Sequence, residues 1–212
     1  KTLYLSWNRD STLQGVATKQ KAAVYGKFRE HFEMISGPEP DYGCLLDLTL
    51  ATYAIGEFEK PAALLISKSR LLAGSSASQL SGALEGIDMR KEQIGGDSML
   101  VVNGAIDQAM LLKHGLTWIS SIVAPGFLGF ENERGIRLIG SKGGLGYESL
   151  QEIRSIAGGW LVQDKNRVPI NPMAWRVASA VHPLVDDWET MIFGVKIARH
   201  LQSSACLAAS RE

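Results

Sequence analysis

The stretch from Pro61 to Gly74 reads PAALLISKSRLLAG, and the fold prediction starts from it. Its first part is a continuous apolar run without alternation, which is typical of a strand that is buried on both faces of a sheet. The run stops at four polar residues, Ser67-Lys68-Ser69-Arg70. A polar end of this kind is typical either of a ligand site or of a strand that ends in solvent, and the stretch by itself favours neither.

Further apolar segments have the same character, and segments with helical spacing lie between them. The predicted strands are Ala62–Ile66, Met99–Val102, Ile119–Ala124, Ile136–Ile139 and Trp160–Val162, with a further candidate at Ala205–Ala208. The predicted helices are Leu45–Phe58, Ala77–Leu84, Ile106–His114, Tyr147–Ile156 and Leu184–Gln202. Because apolar strands alternate with helices, the sequence predicts an α/β protein with a covered, mainly parallel or mixed sheet. The chain of 212 residues has no internal repeat and no long linker, so we expect one compact domain.

The last predicted helix has the clearest periodicity. Its apolar residues fall on one face at helical spacing. These residues are Leu184, Trp188, Met191, Ile192, Val195, Ala198 and Leu201.

The composition excludes several classes of partner. The formal net charge is zero and there is no basic run, so a nucleic-acid partner is not expected. The apolar runs are far shorter than the roughly 20 residues that a membrane span needs, so no membrane partner is expected either. Cys44 and Cys206 lie in apolar surroundings without paired spacing, which predicts reduced thiols in a cytoplasmic protein.

Common catalytic and cofactor motifs are absent from the sequence. It contains no GxGxxG, GxxxxGK[ST], HExxH or GxSxG pattern. The four histidines are widely spread and lack acidic or cysteine neighbours at ligand spacing. We therefore expect no bound metal.

Lys68 is the most informative candidate for a site residue. It follows the carboxyl end of a predicted buried strand, where α/β folds place their ligands. Desolvation there would lower the pKa of its amine, so that the amine could act as a base, an acid or an anion clamp. The alternative is that Lys68 ends the strand in solvent. Ser67 and Ser69 beside it could bind a ligand or satisfy the local backbone.

Asp164 follows the predicted strand Trp160–Val162 in the same way. Together with Gln163 it offers acceptors at a strand end, next to the glycine pair Gly158-Gly159. A turn-forming aspartate explains the position nearly as well.

Several segments in a fixed order carry a resemblance to a known family. They read QKAAVYGKF, DYGCLLDLTLA, EFEKPAALLI, SIVAPGF, GIRLI and AGGWLVQDKNR. In this order the chain resembles the AICAR transformylase part of the bifunctional AICAR transformylase/IMP cyclohydrolase of purine biosynthesis, which formylates aminoimidazole carboxamide ribonucleotide from 10-formyltetrahydrofolate. The resemblance implies a cytidine-deaminase-like layered α/β/α fold without zinc, and a homodimer. It covers residues 1–212 as a single domain that matches the first of two deaminase-like units.

The resemblance also assigns site residues, several of which depart from the family's pattern. The family's phosphate-binding RYGENPHQ corresponds to LQGVATKQ here, where Leu13 replaces the arginine and Lys19 and Gln20 follow. The family's catalytic lysine-histidine pair falls on Ser67 and Lys68. An acidic residue before the APGF motif falls on Ser120, and the asparagine of KSNA falls on Ser204.

Three functions follow from this pattern as hypotheses. The first is a repurposed enzyme that acts on a small molecule by formyl or acyl transfer, or by a related condensation or cyclisation. Lys68 and Ser67 would be catalytic, and the substrate-binding residues would be Lys19, Gln20, Ser69, Ser120, Asp164 and Ser204. The second is a noncatalytic ligand-binding or regulatory protein on the same scaffold. The third is authentic AICAR formyl transfer; 10-formyltetrahydrofolate is implied by the resemblance alone.

Overall fold

The computed structural model describes residues 2–9, 18–25, 28–88, 98–131, 135–142, 151–165, 168–201 and 206–210. They fall into two compact units, Lys1–Gly146 and Tyr147–Glu212. No helix in these described ranges combines the length and the apolar character that crossing a membrane requires.

The first unit contains most of the secondary structure. In chain order its elements are β1 (Thr2–Arg9), β2 (Thr18–Tyr25), α1 (Phe28–His31), β3 (Phe32–Ser36), α2 (Tyr42–Ile55), β4 (Ala62–Ser67), β5 (Arg70–Ser76), α3 (Leu80–Asp88), β6 (Met99–Val102), β7 (Ile106–Asp107), α4 (Gln108–Lys113), β8 (Ser121–Ala124), β9 (Phe127–Leu128) and β10 (Arg137–Ser141).

Six of these strands form one mixed sheet in the order β3-β10-β8-β6-β4-β5. The three strands β6, β8 and β10 are parallel to one another. By contrast, β4 is antiparallel to β6, β5 is antiparallel to β4, and β3 is antiparallel to β10. The predicted α/β class with a mixed sheet is therefore confirmed.

Helices cover both faces of this sheet, which explains the uniformly apolar strands. Ala63 and Leu65 of β4 pack with α3 in one buried cluster. Their neighbours Leu64 and Ile66 are also fully buried and point to the opposite face. Because α2 contacts β4 and β6, it covers that second face. Each fully buried leucine or isoleucine contributes about 1.5–3 kcal/mol to stability.

The segment after β4 differs from the prediction. A helix was expected as the next element, but the chain turns back at once and forms β5, which pairs with β4 from Ser67↔Arg70 to Ala62↔Ser76. The sequence of β5, RLLAGSS, contains no β-branched or aromatic residue and carries a glycine. Its strand structure comes from pairing with β4, because its own residues have little preference for a strand.

Two predicted helices are wrong in part. Ile106–His114 is helical only over α4, because Ile106–Asp107 forms β7 and the Asp107 carboxylate caps the helix by accepting a 2.6 Å hydrogen bond from Met110 N. In the predicted helix Tyr147–Ile156, the described part Gln151–Ile156 is a strand. Its apolar residues fit a helical spacing, but pairing with the next segment decides its structure.

The second unit contains that hairpin and the last helix. Its elements are β11 (Gln151–Ile156), β12 (Gly159–Asp164), a 3₁₀ turn at Pro172–Ala174 and α5 (Asp187–Ala198). β11 and β12 are antiparallel partners. The predicted strand at Ala205–Ala208 is wrong over residues 206–208, which have no regular structure, and residue 205 lies outside the described ranges.

The helix α5 confirms the predicted helix over Asp187–Ala198. Its buried residues are Gly194 and Ile197. Met191 and Val195, from the predicted apolar face, are exposed by 38% and 39%. They line an open apolar groove of about 390 Å³ together with Trp175 and Leu207. Helical periodicity identifies an apolar face, whereas its burial depends on which segment packs against it.

Candidate functional site

The register of the central sheet brings four strand ends to one edge. Ile66 of β4 is the Cα partner of Met99 at the start of β6. Met99 pairs with Ser121 at the start of β8, which pairs with Arg137 at the start of β10. The carboxyl end of β4 and the amino ends of β6, β8 and β10 therefore lie side by side.

Serines are concentrated at this edge. Ser67 ends β4, Ser98 precedes β6, and Ser120 and Ser121 stand at the start of β8. The amide and the hydroxyl of Ser120 both donate to the carbonyl oxygen of Ser98, at 3.1 and 3.0 Å.

Lys68 and Ser69 form the two-residue turn between Ser67 and Arg70. Both have left-handed backbone conformations, with φ of 52° and 59°. This is the geometry of a tight type I′ hairpin turn. The carboxylate of Asp47 in α2 accepts hydrogen bonds from both turn amides, from Lys68 N at 3.2 Å and from Ser69 N at 2.5 Å. The Lys68 side chain is exposed at the tip of the hairpin.

Lys68 was predicted as a site residue because it follows the carboxyl end of a buried strand. This argument does not apply to this sheet. Ligands of open α/β sheets bind beyond the carboxyl ends of the parallel strands. Lys68 follows the carboxyl end of β4, but β4 runs antiparallel to β6. Lys68 therefore lies at the amino-terminal edge of the parallel strands β6, β8 and β10. Its assignment as a site residue rests on the resemblance of the sequence motifs alone.

Arg137 connects this edge with the loop that leads into α2. Its Nη1 donates to the Ser121 hydroxyl at 2.8 Å. Its Nε and Nη2 donate to the carbonyl oxygens of Pro38 and Glu39, at 3.0 and 3.3 Å. These bonds occupy three of the five guanidinium donors, so Arg137 has a structural role at the sheet edge.

Cys44 of α2 lies close to Ser121 and Arg137. The pKa of the Cys44 thiol is raised to about 11, mainly by burial and to a smaller extent by the nearby carboxylates of Asp41 and Asp47. The Arg137 charge and a hydrogen bond with Ser121 lower the thiol pKa, but burial has the larger effect. Because only a thiolate is a strong nucleophile, Cys44 is a protonated, structural thiol at neutral pH.

The remaining predicted site residues lie elsewhere or outside the described ranges. The backbones of Lys19 and Gln20 lie in β2, with Asn8 and Trp7 as their Cα partners in β1. Asp164 is the exposed last residue of β12, in the second unit. Ser204 lies outside the described residues. Of the predicted site residues, the structure thus brings Ser67, Lys68, Ser69 and Ser120 to one sheet edge.

Sequence reasoning missed two residues at this edge, Asp47 and Arg137. Asp47 was visible as a lone acidic residue inside the apolar stretch LLDLTLA, and Arg137 as a charge in the strand motif GIRLI. Neither signal indicates which distant backbone groups these side chains reach.

These features define a layered α/β protein with a serine-lined sheet edge. The chain matches the family described as AICARFT/IMPCHase bienzyme over residues 1–212, and it belongs to that family. The resemblance read from the sequence motifs is therefore confirmed.

Curated relatives agree with this assignment. The chain is 28% identical over 177 residues to the bifunctional purine biosynthesis protein PurH of Cyanothece sp., covering 81% of the chain and 34% of the relative. For PurH of Synechococcus elongatus the identity is 30% over 184 residues, covering 82% and 35%. For PurH of Chloroflexus aurantiacus it is 26% over 219 residues, covering 99% and 43%. The chain thus spans between 34% and 43% of the length of these relatives.

Proposed function

We propose that the chain is a transferase-type enzyme that acts on a small molecule at the edge formed by Ser67, Lys68, Ser69 and Ser120. The reaction would be formyl or acyl transfer to an amine, or a related condensation or cyclisation. One observation carries the proposal. Two family-matched positions from distant parts of the sequence, Ser67-Lys68 and Ser120, meet at the same sheet edge through the register of β4, β6 and β8.

The proposed roles follow from the chemistry of these side chains. In formyl transfer from 10-formyltetrahydrofolate, the substrate amine would attack the formyl carbon, and the bond from that carbon to the folate nitrogen would break. Lys68 would relay the proton released by the substrate amine to the departing folate nitrogen, as general base and then general acid. Ser67, Ser69 and Ser120 place neutral hydroxyls at this edge, so they add polarity without adding charge. Substrate binding by Lys19, Gln20 and Ser204 is proposed from the resemblance alone, and substrate binding by Asp164 from its position at the end of a strand.

The changed residues support a repurposed site. Positions matched to the family's lysine, histidine, acid and asparagine carry Ser67, Lys68, Ser120 and Ser204. Neutral hydroxyls at three of these positions suit a substrate that is smaller or less charged than aminoimidazole carboxamide ribonucleotide. 10-Formyltetrahydrofolate is the acyl donor to test first, because it is the donor that the family resemblance implies.

We also propose the finer fold and the assembly that the resemblance implies. Residues 1–212 would form one cytidine-deaminase-like α/β/α domain without zinc, located in the cytoplasm as a homodimer. The covering of the central sheet by α2 and α3 on opposite faces supports this layered arrangement.

Variants of two exposed lysines test the function. Formyl transfer from 10-formyltetrahydrofolate would be measured with aminoimidazole carboxamide ribonucleotide and with a panel of smaller amines. We expect Lys68→Ala to lower turnover by about 100-fold or more, as for loss of a general base. The control is Lys142→Ala at the opposite edge of the sheet, where Lys142 Nζ lies 3.3 Å from Glu33 Oε2. Equal turnover in both variants would exclude Lys68 from the mechanism.

A noncatalytic ligand-binding protein is the second candidate. Its support is the position of Lys68 on a tight turn whose amides are bound by Asp47, at a strand end open to solvent. A binding protein would be stabilised in proportion to ligand concentration, by mass action, without turnover. Thermal unfolding with folates and phosphorylated purine intermediates measures this directly. Formylation of aminoimidazole carboxamide ribonucleotide itself would instead identify the chain as an authentic transformylase.

A further inference from the structure

The turn that carries Lys68 is held from outside the hairpin. Asp47 lies in α2, and its two carboxylate oxygens each accept one turn amide, Oδ1 from Ser69 and Oδ2 from Lys68. Ser67 and Arg70, which flank the turn, are paired with each other at the end of the β4–β5 ladder. A single side chain therefore joins the helix that covers the sheet to the tip of the hairpin.

This turn needs such support because of its sequence. Two consecutive residues with positive φ are favoured as Asn-Gly or Gly-Gly, but here they are Lys68 and Ser69. A left-handed conformation is unfavourable for a residue with a side chain, because its Cβ comes too close to the following carbonyl oxygen. Hydrogen bonds to a charged acceptor are stronger than those between neutral groups, so the Asp47 carboxylate can offset this cost.

We infer that Asp47 is a positioning residue for the candidate catalytic Lys68. The inference rests on the proposed function. By binding the amides of Lys68 and Ser69, Asp47 fixes the backbone torsions of the turn, and these torsions set the direction in which the Lys68 side chain leaves the hairpin. Orientation of a catalytic group has large effects, since a misplacement of about 1 Å can lower the rate by about 100-fold.

The test compares two aspartates of the same helix region. Asp47→Asn keeps the shape of the side chain but removes the charge and replaces one acceptor oxygen by an NH₂ group. The control is Asp41→Asn, because Asp41 caps α2 through a 2.8 Å hydrogen bond from Cys44 N and asparagine caps a helix equally well. Amide hydrogen exchange, thermal unfolding, kcat and KM would be measured for both variants.

For Asp47→Asn we expect exchange at the Lys68 and Ser69 amides to become about tenfold faster, while exchange at Leu65 and Leu100 in the core stays unchanged. We expect kcat to fall by about tenfold or more with little change in KM. Asp41→Asn should leave all of these quantities unchanged. Asp47→Glu, which keeps the charge but moves the carboxylate by one methylene, should show the same changes to a smaller extent.

Two results would overturn the inference. One is wild-type exchange at Lys68 and Ser69 in both Asp47 variants, whatever their activity. The other is faster exchange of the turn amides with an unchanged kcat, in an enzyme whose Lys68→Ala variant is impaired. Failure of the proposed function gives a different result. In that case Lys68→Ala has the turnover of the wild type, whatever the Asp47 variants show.

Discussion

Arg137 and Ser121 are Cα partners at the first rung between β10 and β8, and their side chains are joined by a hydrogen bond of 2.8 Å. The same guanidinium binds the carbonyl oxygens of Pro38 and Glu39 in the loop after β3. One cation therefore links the serine-lined edge of the sheet to the loop that leads into α2. This arrangement fixes the starts of β8 and β10 to the loop that precedes α2.

Removing this cation should destabilise the first unit. We expect Arg137→Met to lower the free energy of unfolding by about 2 kcal/mol, because it leaves two backbone carbonyls and a hydroxyl without their charged donor. Urea unfolding of the variant and of the wild type gives the difference. Arg29→Met, at an exposed arginine of α1, should change the stability by less than about 0.5 kcal/mol. Equal losses in the two variants would show that the Arg137 bonds contribute nothing specific.

Glycine at position 37 is required by both conformation and space. Gly37 has φ of +93°, and a Cβ there would lie 2.5 Å from the carbonyl oxygen of Ile136 and 2.7 Å from the Cα of Arg137. Gly129 has a similar positive φ of +62°, but a Cβ at that position would meet nothing within 4 Å. We expect Gly129→Ala to cost about 1 kcal/mol from the left-handed conformation alone. Gly37→Ala should cost clearly more in thermal unfolding, and equal midpoints for the two variants would contradict the backbone clash.

The hairpin turn predicts opposite effects of glycine at two serines of the same hairpin. Ser69→Gly should raise stability by about 0.5–1 kcal/mol, because glycine adopts positive φ without steric cost. Ser75→Gly, in β5 opposite Ala63, should lower stability by a similar amount, about 0.5–1 kcal/mol, because glycine weakens a strand interior. Denaturant unfolding measures both changes. A loss of stability in Ser69→Gly would argue against the left-handed turn.

The two cysteines should differ sharply in reactivity. Cys206 is exposed, whereas Cys44 is buried with its thiol pKa raised to about 11. In the native protein at neutral pH, we expect iodoacetamide to alkylate Cys206 at least about 100-fold faster than Cys44, since few Cys44 thiols are ionised and accessible. Mass spectrometry of the single variants Cys44→Ser and Cys206→Ser assigns each site. Comparable rates at the two cysteines would contradict the burial of Cys44.

The raised thiol pKa also predicts a dependence of stability on alkaline pH. The Cys44 pKa is about 11 in the folded chain and about 9.0 when unfolded, so between these values the unfolded state has lost more protons. The contribution of the buried thiol is fully present below about pH 9 and is lost as the pH rises towards 11, by roughly 3 kcal/mol in total. Over this interval the wild type should lose more stability than Cys44→Ala. Parallel pH curves for the two proteins would show that the thiol is not protected by burial.

Local sequence predicted the parts of the structure that are encoded by short apolar runs. Met99–Val102 was predicted with the bounds of β6, and Ala62–Ile66 differs from β4 by one residue. Both runs are fully buried because helices cover the two faces of the sheet. β5 was missed and Gln151–Ile156 was assigned to a helix, because the structure of both segments depends on the strand with which they pair.

The candidate site was predictable as a set of positions but not as an arrangement. Family motifs pointed to Ser67, Lys68 and Ser120, and the sheet register brings these residues to one edge. The partners that hold this edge, Asp47 and Arg137, gave no comparable signal. Their contacts join segments that are far apart in the chain. The sequence around a side chain does not indicate which distant backbone group that side chain will bind.

By itself the sequence determined the family, the buried strands and the polar end of PAALLISKSRLLAG, because motif order and continuous apolar runs are local properties. Only the tertiary structure decided that β4 runs antiparallel to β6, so that Lys68 lies at the amino-terminal edge of the parallel strands. It also decided that Asp47 binds the turn amides of Lys68 and Ser69. Strand direction and these hydrogen bonds arise from long-range pairing, which depends on the whole sheet and not on any single segment.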